Sequence, residues 1–286
     1  MSQGQADGDI RFVQLPHPGP EHRMPGSGRR EWKSGNDRHA RTFLESEATY
    51  RTSVEGRDLH GHVAFWGEWE GAVDLVRELQ PSRHGPRWLC KPDVEGPAPV
   101  SADGTPAQNT DPFVWGDAIR YTFCKQRSNQ KLRRLGRGSL ILFGGAPQRG
   151  FELDTVMVVS DWIDHRREED LARQIDDAYR RWTIHPMYGW GENERTYRLY
   201  FGATPEAPVN GMFSFVPCVP ASTTTGFARP ILHPVGVLEG LLEPNLRMAA
   251  RVVHADAGTL ARVWHEVVRQ VTVAGLGLAT RLELPR

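Results

Sequence analysis

Hydrophobic and polar residues along this chain alternate in short runs, and clusters of Pro, Gly and polar residues separate the runs. The clearest alternation lies in His62–Gly71, HVAFWGEWEG. Successive side chains of a strand point to opposite faces. Laid out this way, His62, Ala64, Trp66, Glu68 and Glu70 share one face, while Val63, Phe65, Gly67 and Trp69 share the other. The second face can pack into a core, and the first sets an indole beside carboxylates. Leu59–Glu70 is therefore predicted as a strand.

Ser139–Phe143 (SLILF) is a short apolar run after Gly138, and Phe151–Val159 (FELDTVMVV) is rich in β-formers. Joined by the turn residues GGAPQRG, they predict a hairpin. Further short strands are expected at Tyr197–Phe201, Gly211–Val216 and Arg229–Leu232, with a last one at Leu276–Leu284. Leu171, Ile175, Tyr179 and Trp182 recur at helical spacing and predict an amphipathic helix over Arg166–Trp182. Asp256 is the expected N-cap of a second helix, which carries Leu260, Val263, Trp264, Val267, Val268 and Val271 on one face and ends at Gly275. The implied class is α+β: a small mixed or antiparallel β-barrel or strongly curved sheet, with two main helices and long covering loops.

Residues 1–40 carry too many Pro and Gly for a long regular element. Strand-like sequence lies on both sides of the irregular stretch that follows Pro92, so the whole chain 1–286 reads as one globular domain. Disorder is expected at 1–9 and a flexible loop at 94–105.

Composition narrows the classes. At 39% hydrophobic and 24% charged residues, the chain is of ordinary soluble globular type. No apolar run reaches the ~20 residues of a spanning helix. MSQGQADGDIRF has neither the basic nor the apolar region of a secretory signal, so a cytoplasmic location is expected and no membrane partner. Cys90, Cys124 and Cys218 are odd in number and widely spaced, which argues for reduced thiols over a disulfide framework. With 35 basic and 35 acidic side chains the net charge is zero, which excludes indiscriminate coating of nucleic acid but leaves room for a local basic groove.

Several groups could carry chemistry. The Trp66/Glu68/Glu70 face is either a core strand edge with solvated glutamates or a pocket wall. As a wall, it would stack Trp66 on a planar ring and bond the ring's edge through a glutamate. Trp115, after the turn Asp111-Pro112, either anchors its loop or faces the same ligand. Lys125–Arg137 holds Lys125, Arg127, Lys131, Arg133, Arg134 and Arg137 with no acidic residue. Such a run is a solvated face or, next to aromatics and Gln126, a sugar–phosphate groove. Acid–base candidates are Glu68, Glu70, His39 and His62. His60 and His62 share a strand face with His39, His84 and Cys90 nearby in sequence, but no HExxH or CxxC spacing supports a metal site, and neither metal nor cofactor is expected.

The hairpin segment GSLILFGGAPQRGFELDTVMVV resembles part of the PUA-like barrels, including the ASCH and EVE families, over roughly residues 113–160. That resemblance implies an aromatic-lined pocket for a modified or flipped nucleobase. The first functional expectation is thus a binding module for a nucleobase or nucleotide, free or within nucleic acid. Trp66 and Trp115 would stack, Glu68 and Gln126 would bond the ring edge, and Arg127, Arg133 and Arg134 would hold phosphate. The alternative is an enzyme acting on a nucleotide or nucleobase by transfer or hydrolysis, with the Glu and His residues as acid and base.

Overall fold

Leu140–Phe143 lacks polar alternation because both of its faces are covered. The computed structural model describes residues 8–17, 19–31, 40–80, 84–94, 109–145, 150–171, 173–189 and 195–285. In chain order its strands are β1 (Arg11–Pro16), β2 (Arg29–Arg30), β3 (Thr42–Arg51), β4 (Leu59–Gly67), β5 (Val73–Glu78), β6 (Trp88–Pro92) and β7 (Arg120–Tyr121). The second half adds β8 (Leu140–Gly145), β9 (Phe151–His165), β10 (Tyr197–Gly202), β11 (Val216–Pro220), β12 (Ile231–Leu232), β13 (Arg251–His254) and β14 (Gly277–Leu282). One sheet runs β13-β1-β8-β9-β10-β7, with β12 on β9; the other runs β14-β11-β4-β3-β6-β5-β2. In the second sheet β14 also pairs with β3, so β3, β4, β11 and β14 close into a four-stranded barrel. The protein is α+β, as the patterning implies.

Alternate residues of β1, β8 and β9 enter different cores. Phe12, Leu140, Leu142, Val156 and Val158 pack with helix α3 (Ala257–Val273), while Val13, Ile141, Phe143, Met157 and Val159 pack toward the barrel. A sheet covered on both faces selects a continuous apolar run. Helix α3 is laid down as its pattern predicts. The Asp256 carboxylate caps it by accepting from the Thr259 N–H at 2.9 Å, and all six apolar residues of its stripe are buried. Burying each such side chain contributes about 1.5–3 kcal/mol.

Several boundaries differ from expectation. β9 continues to His165, because β10 pairs along it as far as His165. The predicted helix over Arg166–Trp182 begins only after the Asp176 N-cap: α1 (Asp177–Tyr179) passes through a π turn (Arg180–Ile184) into α2 (His185–Gly189). Gly211–Val216 is irregular, with single bridges at Met212 and Phe215, and strand β11 starts only at Val216. The stretches 1–9 and 94–105 lie outside the described residues except for Gly8, Asp9 and Val94, and Asp9 bridges to Leu135.

Aromatic rings bind the loop before β7 to the barrel. Trp69 meets Trp115 and Trp182 at 5.0 Å between centroids, and Phe113 meets Trp115 and Tyr179 at 5.4 and 5.3 Å. The loop thereby becomes a fixed wall in the seam between the sheets.

Candidate active site

Five separate segments converge on this seam. His17 immediately follows β1, and its backbone N–H donates to the Gly144 carbonyl at 2.6 Å, extending the parallel β1–β8 pairing. Gly144 is obligatory there, because a Cβ would come within 2.1 Å of the Glu152 carbonyl oxygen. Arg41 leads into β3, Glu68 follows the end of β4, and Asp154 lies on β9. Cys124 sits on a turn closed by the Gln126 N–H donating to the Phe123 carbonyl at 2.9 Å. Lys125, next in that turn, has φ +61°. A non-glycine residue in the left-handed region costs of order 1–3 kcal/mol, so the surroundings must hold the turn in place. Asp111 does much of this: its carboxylate accepts from the backbone N–H groups of Thr122, Phe123 and Cys124 at 3.0, 2.7 and 2.6 Å. The Tyr121 hydroxyl donates to the Cys124 carbonyl at 2.6 Å.

The centre is a line of three side chains. The Cys124 thiol contacts His17 Nε2, and His17 Nδ1 faces Glu68 Oε2 at 2.6 Å. Glu68 accepts, so the proton belongs on Nδ1 and the Nε2 lone pair is directed at the thiol. His17 is 2% exposed and Glu68 8%, whereas Cys124 is only partly buried. Arg41, fully enclosed, ties this line to the rest of the seam. It donates to Glu68 Oε2 at 3.2 Å, to the His17 carbonyl at 3.0 Å and to Asp154 Oδ2 at 2.6 Å. Burial opposes its charge, but Asp154, Glu68 and Glu70 outweigh that and raise its pKa.

Electrostatics define the resting protonation state. Burial pushes the Cys124 thiol well above its ordinary value, and the Glu68 and Asp111 carboxylates push it further, against weaker opposition from Lys125 and Arg41. Cys124 is therefore a neutral thiol at rest that gives up its proton only to a base. Burial likewise raises the Asp111 carboxyl to about 7 despite its three backbone donors, with Glu68 adding to the rise. Behind the turn, His165 Nε2 lies 2.7 Å from Thr122 Oγ1 and its Nδ1 lies 2.6 Å from the Tyr188 hydroxyl. Burial lowers the His165 pKa to about 4, so this second imidazole is neutral near pH 7.

The residues singled out from the sequence are distributed differently. β4 ends at Gly67, so the face shared by Trp66 and Glu68 ends with it. Trp69 then folds back, donating its indole N–H to the Ala72 carbonyl at 2.9 Å and resting on Gly71. Trp66 packs with Phe43, Ala64 and Leu89, and its indole N–H donates to the Phe227 carbonyl at 2.7 Å. Trp115 is fully buried, with its N–H on Ser46 Oγ at 2.9 Å. Neither indole presents an open ring face to a base. Glu68 is in the triad; Glu70 is buried and adds negative charge beside Arg41. His62 is exposed on β4 and pairs with Glu45 at 3.1 Å, at the edge of a separate groove. His39 lies outside the described residues. Gln126 is buried, and its amide donates to the Arg198 carbonyl and accepts from the Arg198 N–H, fastening the Cys124 turn to β10. Arg127 is exposed and offers its carbonyl to Arg195. Arg133 and Arg134 line a cleft of about 400 Å³ with Arg166, Arg195 and Arg198.

His17, Cys124, Arg41 and Asp111 form the centre without having been sequence candidates for it. The local hints are faint: a histidine between two prolines after an apolar run, and a cysteine after an aromatic run. His17 and Cys124 are 107 positions apart, so no spacing rule joins them. Among the described residues, no group of three His, Cys, Asp or Glu is placed to hold a metal ion, and no helix is long and apolar enough to cross a membrane. Comparison with protein-family models, curated proteins and solved structures finds no match to this chain.

Proposed function

We propose that the protein is an enzyme of the covalent transferase or hydrolase type, with Cys124 as nucleophile, His17 as general base and then acid, and Glu68 as the group that orients the imidazole. The observation that carries this reading is His17 lying between the Cys124 thiol and the Glu68 carboxylate, with a different ring nitrogen toward each. A nucleophile, a base and a third group orienting the base are the parts that thiol and hydroxyl enzymes share across unrelated folds.

The chemistry follows from the protonation states. As a substrate's electrophilic carbon reaches Cys124, His17 Nε2 takes the thiol proton and the S–C bond forms. Glu68 stabilises the imidazolium through the Nδ1 proton. The bond from carbon to the leaving group then breaks, and the leaving group takes the proton from Nε2. Water or a second acceptor, deprotonated by the same nitrogen, attacks the carbon, and the thiol leaves with its proton restored. The raised thiol pKa makes this a base-assisted attack instead of one by a preformed thiolate. It shares with the enzyme alternative drawn from the sequence the transferase or hydrolase class and Glu68, but it makes His17, in place of a glutamate, the base.

The test is mass spectrometry of the intact protein after exposure to iodoacetamide at pH 7.5, with the adduct located by peptide mapping. Cys124 should be the principal labelled residue. Labelling should slow by about 100-fold in His17→Ala and by a lesser factor in Glu68→Gln, the range that general-base assistance supplies. Equal labelling of Cys124 in the wild type and His17→Ala, with both folded by circular dichroism, would remove the base and the reading with it.

A further inference from the structure

Arginine is concentrated on the far side of the Gln126–Arg198 fastening, in a place the thiol chemistry does not use. Arg133, Arg134, Arg166, Arg195 and Arg198 line an open cleft of about 400 Å³ together with Asp164. We propose that this cleft binds the diphosphate group of a small phosphorylated molecule.

Three observations point to that ligand chemistry. First, five guanidinium groups face one carboxylate, Asp164. Asp164 is already committed to Arg198, which it holds through two contacts at 2.7 and 3.1 Å, while Arg198 also lies 4.8 Å over the Trp162 ring. Among the described residues, Arg133, Arg134, Arg166 and Arg195 have no carboxylate within ion-pair distance, so an anion entering the cleft meets like charges with no paired partner there.

Second, the heads are held by neutral acceptors that orient them without cancelling their charge. Arg166 donates to Thr196 Oγ1 at 2.7 Å, Arg195 to the Arg127 carbonyl at 2.7 Å and Arg133 to the Thr196 carbonyl at 3.5 Å. Each guanidinium keeps further N–H groups, and Arg133 Nε is buried without a hydrogen-bond partner. Planar forks fixed in this way suit tetrahedral oxyanions, which accept several charge-assisted bonds at once.

Third, the volume falls within the ~300–1,000 Å³ of small-ligand pockets. Four guanidinium groups without a paired carboxylate among the described residues call for more than one phosphate. A diphosphate matches that charge better than a single carboxylate or sulfate. The proposal does not depend on the thiol chemistry, because the cleft contains no residue of the triad.

The experiment is isothermal titration calorimetry on the full chain carrying Cys124→Ala, which separates binding from any reaction at the thiol. Inorganic pyrophosphate and ADP should bind, sulfate at least about tenfold more weakly, and added salt should weaken all three. Arg134 and Arg195 are exposed, so Arg134→Glu/Arg195→Glu should fold normally and lose at least about tenfold in pyrophosphate affinity. Arg134→Lys/Arg195→Lys keeps the charge but loses the forks, and should fall between the wild-type cleft and the glutamate pair. Affinity unchanged in the glutamate pair, or no pyrophosphate binding at low salt, overturns the proposal. A ten-nucleotide single strand bound far more tightly than either small phosphate also overturns it, in favour of a nucleic-acid surface. Unreactive Cys124 with retained pyrophosphate binding would sink the thiol reading and leave this one standing.

Discussion

The seam around Arg41 and the cleft around Arg133 are both built on arginine, yet they solve opposite problems. In the seam the cation is enclosed and each edge of its guanidinium meets an oxygen: Asp154, Glu68 and the His17 carbonyl. In the cleft, most cations meet only neutral acceptors and keep their charge facing solvent. Burial explains the difference. A charge taken from water must be matched by the protein itself, whereas a solvated charge can remain available for a ligand. The seam therefore has the rigidity that chemistry at one thiol requires, and the cleft has the unspent charge that recognition requires.

That contrast is most sharply tested by removing one arginine from each place. Arg41→Ala leaves Glu68 and Asp154 enclosed without their shared cation, and should cost about 3–5 kcal/mol in urea denaturation. Arg134→Ala removes an exposed side chain and should stay within about 0.5 kcal/mol of the wild type. Similar losses at the two sites would erase the distinction.

The dryness behind the seam has its own signature. His165 has a folded pKa lowered from 6.5 to about 4, so the unfolded chain binds the extra proton between those values. Its contribution to stability is present above about 6.5 and is lost as pH falls toward 4, by about 3 kcal/mol. The stability difference between wild type and His165→Gln should therefore shrink by that amount from pH 6.5 to pH 4. A pH-independent difference would mean that water reaches the Thr122–His165–Tyr188 contacts.

The smallest effect concerns the turn that presents the thiol. Lys125→Gly relieves the left-handed strain while adding freedom to the unfolded chain, so stability should rise by less than about 1 kcal/mol. Iodoacetamide labelling of Cys124 should slow at the same time, because the turn holds the thiol against His17 less firmly. Faster labelling with a more stable fold would show that the strain does not serve the site.

Legibility in the sequence followed the range of the interactions. Helix α3 was readable because its cap and stripe are local, and the β8–β9 hairpin because an apolar run, a turn cluster and a β-rich run are contiguous. The arginines of Lys125–Arg137 were visible as a run, although Arg166, Arg195 and Arg198, which complete the cleft, come from elsewhere. Period-two alternation separated Phe65 from Trp66 correctly, sending one to the seam core and the other to the cluster with Phe43. It failed two residues later, where the strand stops at Gly67 and no longer governs the direction of Glu68.

By itself, then, the chain's pattern determined the α+β class, the apolar stripe of α3, the hairpin and the presence of a basic segment. Each of these depends on neighbours within a few residues or on a repeating period. Only the tertiary structure decided that His17, Glu68 and Cys124 meet, that Trp66 and Trp115 are anchors facing inward, and that five arginines share a cleft. Those meetings depend on how two sheets pack across a seam. Residues brought together by sheet packing obey no period along the chain, so their chemistry appears only once the distances are known.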